Sequence, residues 1–330
     1  MRQLTVVAVT LGLILTGTEL RAAEDETLDE CRAGSIAACL SVCTAAVAVC
    51  TKQGPEYSKG KCDSKAQKLP GCTASYDELR PGDLCRISAD EIYPTQFSVG
   101  SRAVACKAED KIDKKKRKAL KEYLLARFLP TVLGPRGRFY ITDHHHLSTG
   151  VFRADIPHKN KVLYACITAD QSMVERESAL WQYLGEHQEV WLFDNEGHPI
   201  TGSDLPLGLE YMADDPYRTV SRWVRDSCGY VKEGNDCLSA YTDEQIARYG
   251  APAKADFMEF LWANFFRDNG VPSVSSQHTK EELEAVLSQA LELAKSAKAQ
   301  DLPGFNDGSI LPPHPVVLDA RGCDSIPSEE

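Results

Sequence analysis

The sequence predicts an α+β fold, in which a small mixed-sheet domain carries a helical C-terminal half and follows a disulfide-rich helical segment. Strand-like and helix-like patterns alternate between residues 76 and 200, as expected of a mixed sheet with covering helices. Residues 201–305 show helical periodicity with capping signals, and cysteines are concentrated in residues 24–75. Residues 306–330 are rich in Pro, Gly and Asp and predict an irregular tail.

The first 23 residues predict a secretory signal peptide. Arg2 precedes an apolar run that is short for a membrane span, and Ala22 and Ala23 come just before an acidic stretch. A retained membrane anchor is the alternative interpretation of this run. No other stretch of the sequence is long and apolar enough to cross a bilayer. We therefore expect a secreted protein, extracellular or periplasmic, without a membrane segment after removal of the signal.

The cysteines of residues 24–75 predict disulfides. The chain has 12 cysteines, and six of them lie in this segment, at Cys31, Cys39, Cys43, Cys50, Cys62 and Cys72. In an exported chain this density favours disulfides, whereas zinc sites favour close Cys pairs that the segment lacks. The helical spacing of Cys39, Cys43 and Cys50 predicts two short helices stapled to one another, with the pairing left open.

The predicted sheet domain alternates short strands with one clear helix. We expect strands at Leu84–Ile87 and Ser98–Cys106, followed by a helix that places Leu120, Leu124 and Phe128 on one face. Further strands are predicted at residues 136–146, 161–169 and 189–200. This order of elements indicates mixed α and β structure rather than an all-helical or all-strand domain.

Local capping chemistry defines the helices of the C-terminal half. Asp215 is expected as an N-cap with Pro216 at the first helical position, and Thr279 with Glu282 forms a capping box. In the tail, Cys323 is expected to be pinned to the body of the protein by a disulfide.

The aromatic helix around residues 257–265 has a predicted buried face and one carboxylate whose role has two interpretations. Phe257, Leu261 and Phe265 are in register and predict its buried face. Glu259 lies among these aromatic residues, where burial would raise its pKa and suit it to act as a base. The other interpretation is that Glu259 faces solvent or pairs with a neighbouring arginine.

The charge of the chain argues against nonspecific binding to nucleic acid. The net charge is −11, whereas such binding needs clustered positive charge. Lys114 to Lys121 form the one strong basic run, which is interpreted either as a solvated helix face or as a nucleic-acid track. Arg218, Arg222 and Arg225 share a helix face, as either an anion-binding stripe or a salt-bridged surface.

Two short motifs occur in the order and spacing of a known superfamily. "PTQ" at residues 94–96 follows an apolar strand and a turn, and "DHHHL" at residues 143–147 joins a predicted strand to a helix. With the helical stretches 214–232 and 257–267, they resemble the ParB/sulfiredoxin superfamily, and most closely its branch of ParB-like nucleases. The resemblance covers about residues 78–305 and implies a ParB-like sheet domain with a helical extension.

The resemblance implies chemistry at phosphate groups, since members of this superfamily bind nucleotides, transfer phosphoryl groups or cleave nucleic acid. It assigns catalysis to Asp143, His144, His145 and His146. In this arrangement, a helix N-terminus supplies amide groups and a dipole that attract anions. His145 stands where sulfiredoxin has its nucleophilic cysteine, so reduction of sulfinic acids is not expected.

The phosphate-binding residues are less well matched. Gln96 is the glutamine of the Pro-x-Gln motif and is carried over as a phosphate-binding residue. Leu147 replaces the arginine that grips a phosphate in the family. The candidates to supply the missing charge are Arg102, Arg136 and Arg138.

Three interpretations of the histidine run stay open. In an extended segment, His144 and His146 would point to one face and His145 to the other. A pair of histidines with Asp143 would then suit a divalent metal ion, which phosphodiester hydrolysis often uses. Alternatively, one histidine acts as a general acid or base, or the run is a hydrogen-bonded turn without chemistry.

Two functional hypotheses follow from these observations. The first is a secreted ParB-like nuclease or phosphodiesterase, a hydrolase whose partner is nucleic acid or a nucleotide phosphate. The second is a secreted, non-catalytic binding protein that retains the ParB-like fold but lacks the phosphate-gripping arginine.

Overall fold

Two sheets organise the part of the chain that the computed structural model describes, namely residues 26–51, 69, 72–232, 237, 257–312 and 316–323. The strands are β1 (Leu84–Ser88), β2 (Ile92–Pro94), β3 (Ser98–Val99), β4 (Leu129–Gly134), β5 (Arg138–Ile141), β6 (Val162–Asp170) and β7 (Ala213–Asp214). The larger sheet has the order β1-β6-β4-β5-β2, and β3 pairs with β7 in a small parallel sheet.

The larger sheet is mixed. Strand β1 is antiparallel to β6 and β4 is antiparallel to β5, whereas β4 runs parallel to β6 and β2 runs parallel to β5. Hairpin-like and crossover connections therefore occur in one sheet, with helices between the parallel neighbours. The predicted α+β class is confirmed.

The helices cover the sheet and form the C-terminal half. They are α1 (Ile36–Thr51), α2 (Ser101–Lys107), α3 (Arg117–Leu125), α4 (His145–Arg153), α5 (Glu177–Glu186), α6 (Pro216–Asp226), α7 (Met258–Asp268) and α8 (Lys280–Ala294). A π-helical turn, Ala108–Asp113, continues α2. None of the helices in the described ranges has the length and apolar character needed to cross a membrane.

The predicted caps are confirmed. Asp215 accepts a hydrogen bond from the backbone N–H of Tyr217 at 3.0 Å, with Pro216 at the first helical position. Thr279 and Glu282 exchange both bonds of a capping box at the start of α8. These signals act within one helical turn, so the sequence alone determines them.

The two largest apolar cores lie in different parts of the fold. One lies beneath the sheet around Ile87, Leu129 and Phe139, and the other joins α6, α7 and α8 around Trp262 and Phe266. Phe257, Leu261 and Phe265, which were expected to form the buried face of α7, are only partly buried. The buried face is displaced by one residue along the helix. The buried residues of this helix are Met258, Phe260, Trp262, Ala263 and Phe266.

Five disulfides connect the described residues: Cys31–Cys39, Cys43–Cys166, Cys72–Cys85, Cys106–Cys323 and Cys228–Cys237. The first staples the helical stretch 26–32 to α1, as the cysteine spacing predicted, and the second fastens α1 to strand β6. The predicted disulfide of Cys323 is confirmed. The side chain of Cys50, all of Cys62, and the predicted signal peptide at residues 1–23 lie outside the described part.

Two predicted strands were wrong. Only Ser98 and Val99 of the segment Ser98–Cys106 are extended, because helix α2 begins at Ser101 and its alanines favour helix once Gly100 turns the chain. Residues 189–200 contribute only isolated bridges. The ring of Trp191 instead stacks on Phe260 of α7, with the ring centroids 4.7 Å apart.

Candidate functional site

The histidine run forms the turn between strand β5 and helix α4. His144 is the N-cap residue of α4 and has left-handed backbone angles, with φ of 62°. The Oδ1 atom of Asp143 accepts a hydrogen bond from the N–H of His144 at 2.5 Å. Because the chain turns here instead of continuing as a strand, the three side chains do not alternate between two faces.

His145 is a structural anchor within this turn. It is buried, and its Nε2 atom accepts a hydrogen bond from the backbone N–H of Thr95 at 3.1 Å. The Thr95 hydroxyl in turn donates to the carbonyl of Ile141 at 2.9 Å. Burial lowers the pKa of His145 to about 3, although Asp143 acts in the opposite direction. The imidazole is therefore neutral at physiological pH.

His146 makes the equivalent contact with a second loop residue. Its Nε2 atom accepts a hydrogen bond from the backbone N–H of Gly100 at 3.0 Å. Burial, followed by the charges of Arg218 and Lys107, holds the pKa of His146 well below its usual value. His145 and His146 together fasten residues 95–100 to the start of α4.

Metal coordination finds little support in this arrangement. The Nε2 atoms of His145 and His146 accept hydrogen bonds from two different backbone N–H groups. The two atoms are therefore not available to coordinate one metal ion together. Within the described ranges, no group of three or more His, Cys, Asp or Glu side chains is arranged to hold a metal ion.

His144 differs from the other two histidines of the run in the hydrogen bonding of its ring. Its imidazole is half-buried and has no hydrogen-bond partner among the described residues. Burial lowers the pKa of His144, Asp143 raises it, and the charges of Lys107, Arg127 and Lys232 lower it further. An imidazole without a hydrogen-bond partner, which follows a carboxylate in the chain and feels the charges of several cations, is suited to proton transfer near an anion.

Asp143 is accessible to solvent, although surrounding atoms partly desolvate its carboxylate. Desolvation favours the neutral acid, but the charge and N–H of His144, with His145 and Lys232, hold the pKa of Asp143 below its ordinary value. The carboxylate is therefore ionised at physiological pH and favours a proton on His144.

Lys107 is a site residue that the sequence did not reveal. It ends helix α2, and its amine has no acceptor among the described residues. Burial, and then the charges of Arg222, Arg225 and Arg127, lower the pKa of Lys107 to about 7. The π-helical turn Ala108–Asp113 follows Lys107 directly. Such turns are rare in proteins, and those that occur often lie at functional sites.

The predicted phosphate-binding side chains are engaged in other contacts. The Gln96 amide donates to the carbonyl of Ser98 at 2.8 Å and closes its own loop. Arg102 donates to the carbonyls of Arg321 and Ser275, near the C-terminal tail. Leu147 is 1% exposed and belongs to the apolar core.

Arg138 is also distant from the turn. It begins β5, whereas the histidine turn follows the end of that strand. Its guanidinium pairs with Glu177 at 2.9 Å, and Arg136 lies 3.8 Å from the same carboxylate. The structure therefore brings Asp143 and the three histidines together but not Arg102 or Arg138.

Helix α6 carries charged residues whose fields act on the histidine turn. Arg222 and Arg225 pair with Asp226 at 3.3 and 2.8 Å, and Arg225 also pairs with Glu259 at 3.0 Å. Lys232 contacts Glu259 at 2.8 Å. Burial opposes ionisation of Glu259, but Lys232 and Arg225 lower its pKa to about 2, so it does not serve as a base.

Comparisons with known proteins support a ParB-like fold for the central region. Residues 85–241 match the family model described as "Putative ParB-like nuclease", and a ParB-like domain is therefore present. Protein Atu1540 from Agrobacterium tumefaciens has a similar solved structure, with 25% sequence identity and a TM-score of 0.52. The similarity covers 68% of this chain and 97% of that one. No curated protein matches the sequence.

Proposed function

We propose that the protein is a nuclease-like phosphodiesterase whose active site is the turn formed by Asp143, His144, His145 and His146. The family description supports hydrolysis of phosphodiester bonds. The resemblance to the wider ParB/sulfiredoxin superfamily rests on the same turn and supports a phosphate group as the recognised feature.

A phosphate would bind at the N-terminus of α4. The first amides of a helix carry unsatisfied N–H groups and a partial positive charge. The side chain of the N-cap residue makes no capping hydrogen bond at this end of α4, and the charges of Lys107, Arg127 and Lys232 act on His144. An anion would satisfy the amides and relieve the mutual repulsion of these cations.

The four residues of the turn would have different roles in the reaction. His144 transfers a proton to or from the reacting phosphate ester, and the ionised carboxylate of Asp143 supports its protonated form. His145 and His146 position the turn through Thr95 and Gly100. Lys107 adds a cation, or a neutral amine at higher pH, beside the same phosphate.

The observation that carries this proposal is the state of His144. A left-handed backbone is unfavourable for a residue with a side chain and costs about 1 kcal/mol or more. The fold maintains it here, and it leaves a half-buried imidazole without a partner among the described residues. Strain of this kind, next to a carboxylate and three cations, is typical of functional sites.

Turnover assays test the proposal. The purified, oxidised protein would be incubated with DNA, RNA, nucleoside triphosphates and bis(p-nitrophenyl) phosphate, with and without Mg²⁺, Mn²⁺ or Zn²⁺. His144→Asn is the informative variant, because asparagine tolerates left-handed backbone angles. We expect the variant to fold normally and to lose about 10²- to 10⁴-fold in rate, the usual contribution of a general acid or base.

His158→Asn is the matched control, since His158 is exposed and pairs with Asp90 on the surface. It should retain full activity. Absence of turnover with every substrate and metal, or full activity of His144→Asn, would contradict the proposal.

A second candidate is a non-catalytic binding protein. It is favoured by Leu147, which removes the family arginine, and by the backbone hydrogen bonds that occupy His145 and His146. Saturable binding of a phosphate ester without any turnover would support this candidate.

We further propose that the protein is secreted. Five disulfides are typical of proteins from oxidising compartments, and the predicted signal peptide agrees with export. Expression of the full sequence in its host, followed by cell fractionation and N-terminal sequencing, tests this point. A cytoplasmic protein that begins at Met1 would contradict it.

A further inference from the structure

Arg218, in the first turn of α6, is a buried cation with two unsatisfied nitrogens. The residue is 7% exposed, and its Nε and Nη1 atoms have no hydrogen-bond partner among the described residues. Its guanidinium lies over the ring of Phe260, with Cζ 3.4 Å from the ring centroid. Buried arginines are normally paired, because an uncompensated buried charge is costly.

The two carboxylates that act on the charge of Arg218 are committed to other partners. Asp215 pairs with Arg267 at 3.0 Å, and Glu259 pairs with Lys232 and Arg225. Both carboxylates favour the charged form of Arg218 from a distance, but burial still lowers the pKa of this guanidinium. The unsatisfied N–H groups therefore point to an acceptor that the described residues do not provide.

Two hydroxyl groups at the same junction are also unsatisfied. Ser98 Oγ in β3 and Thr219 Oγ1 in α6 are buried without a hydrogen-bond partner among the described residues. Gly100 joins this junction to the site, since a Cβ at this position would lie 2.5 Å from Thr219 Oγ1. The N–H of the same glycine binds His146.

The charge of Arg218 also reaches the histidine turn, where it lowers the pKa of both His145 and His146. Arg218 is also close to the turn in space, because a Cβ on Gly100, whose N–H binds His146, would lie 3.2 Å from the backbone carbonyl carbon of Arg218. It belongs to α6, whereas Leu147 belongs to α4. A planar guanidinium whose Nε and Nη1 atoms are unsatisfied is well suited to phosphate oxygens, which accept several hydrogen bonds at once.

We propose that Arg218 binds a phosphate group and so replaces the arginine that Leu147 removes from the histidine turn. The nature of the anion rests on the proposed function, whereas the need for an anion rests on the unpartnered guanidinium. Phe260 holds the guanidinium plane in place, and the Ser98 and Thr219 hydroxyls lie at the same β3–α6 junction.

Binding of inorganic phosphate and of a nucleoside monophosphate tests this inference. Calorimetry and thermal unfolding would be compared for the wild type, Arg218→Met, Arg218→Lys and the control Arg86→Met, in which the exposed Arg86 of β1 is changed. We expect Arg218→Met to bind at least about tenfold more weakly, since a charge-assisted hydrogen bond contributes about that much. Arg218→Lys should retain part of the affinity, and the control should bind like the wild type.

The melting temperature separates binding from a purely structural role. In phosphate-free buffer, Arg218→Met should melt at or above the wild-type temperature, because it replaces an unpaired buried charge with an apolar chain. Phosphate should raise the melting temperature of the wild type but not of this variant. A marked loss of stability in Arg218→Met, with an unchanged response to phosphate, would overturn the inference.

The two proposals can fail separately. Phosphate binding that depends on Arg218, without turnover of any substrate, would leave this inference intact and remove the enzymatic function. Turnover by the wild type, together with an unaltered phosphate affinity and KM in Arg218→Met, would support the enzymatic function and overturn the role of Arg218.

Discussion

The Nε2 atom of His145 accepts a hydrogen bond from the backbone N–H of Thr95 at 3.1 Å, and so joins two sequence motifs that lie 50 residues apart. The bond fixes the ring with its proton on Nδ1, and that N–H interacts with the carbonyl of Ile141. His145 therefore serves as a connector between the loop of Gln96 and the turn that presents His144.

Replacing His145 should destabilise the protein. His145→Ala leaves the buried N–H of Thr95 without an acceptor and opens a cavity, which should cost about 2–4 kcal/mol of unfolding free energy. Urea denaturation followed by circular dichroism measures this change. His187→Ala, at an exposed residue, should change stability by no more than about 0.5 kcal/mol. Equal stabilities of the two variants would show that the Thr95 bond contributes little.

Stability should fall as the pH is lowered from about 6.5 to about 4.5. The folded pKa of His145 is about 3, below the unfolded value of about 6.5, so the unfolded chain binds the proton more readily in this window. Unfolding free energy should therefore drop by about 1.4 kcal/mol per pH unit for this residue.

His145→Gln tests this origin of the pH dependence. Its amide oxygen can still accept from Thr95, but the side chain does not titrate. Its unfolding free energy should vary less with pH between 6.5 and 4.5 than that of the wild type. The same slope in both proteins would assign the effect to other groups.

Gly100 should not tolerate a side chain. The Cβ of Gly100→Ala would lie 2.5 Å from Thr219 Oγ1 and 2.8 Å from the Thr219 backbone nitrogen. We expect a loss of about 1–3 kcal/mol from overpacking, together with a weaker bond to His146. Thermal unfolding measures the loss. Gly185 in α5 has no neighbour within 4 Å of an added Cβ, so Gly185→Ala should be neutral or slightly stabilising.

Lys107 should react with amine reagents at unusually low pH. Its folded pKa of about 7 makes about half of the amine neutral at pH 7, whereas ordinary lysines are almost fully protonated. Brief treatment with trinitrobenzenesulfonate at pH 7, followed by peptide mass spectrometry, should modify Lys107 faster than the exposed Lys118. Slower modification of Lys107 would contradict this prediction.

The same lysine should make stability rise between pH 7 and about 10. In this window the unfolded chain, with a lysine pKa of about 10.4, binds a proton that the folded protein has lost. Lys107→Met should abolish this rise, which denaturation at several pH values would reveal.

Much of the fold follows from local sequence signals, but some elements depend on distant contacts. Strand β6 and the caps of α6 and α8 could be predicted because their patterns act over a few residues. Residues 189–200 carry the same apolar pattern as a strand. Their Trp191 instead packs on Phe260, which is nearly 70 positions later, and no local rule reveals this contact.

The location of the candidate site could be predicted, but the roles of its histidines could not. Those roles depend on the left-handed backbone of His144, which rotates the following side chains away from strand geometry. The arginine stripe of α6 was also predicted as a unit. The three arginines nevertheless differ in their partners. Arg222 pairs with Asp226 and Arg225 with Glu259, whereas neither carboxylate pairs with Arg218.

Two of the disulfides give the oxidised chain a short mechanical path. Cys72 is bonded to Cys85 and Cys106 to Cys323, so a force between Cys43 and Cys323 can pass through both bonds and the two backbone segments 43–72 and 85–106. At about 3.5 Å per residue, this path extends to about 180 Å, whereas the reduced chain would reach about 1,000 Å. Under tension the oxidised protein is therefore a tether of limited reach, even when its helices and sheets have come apart.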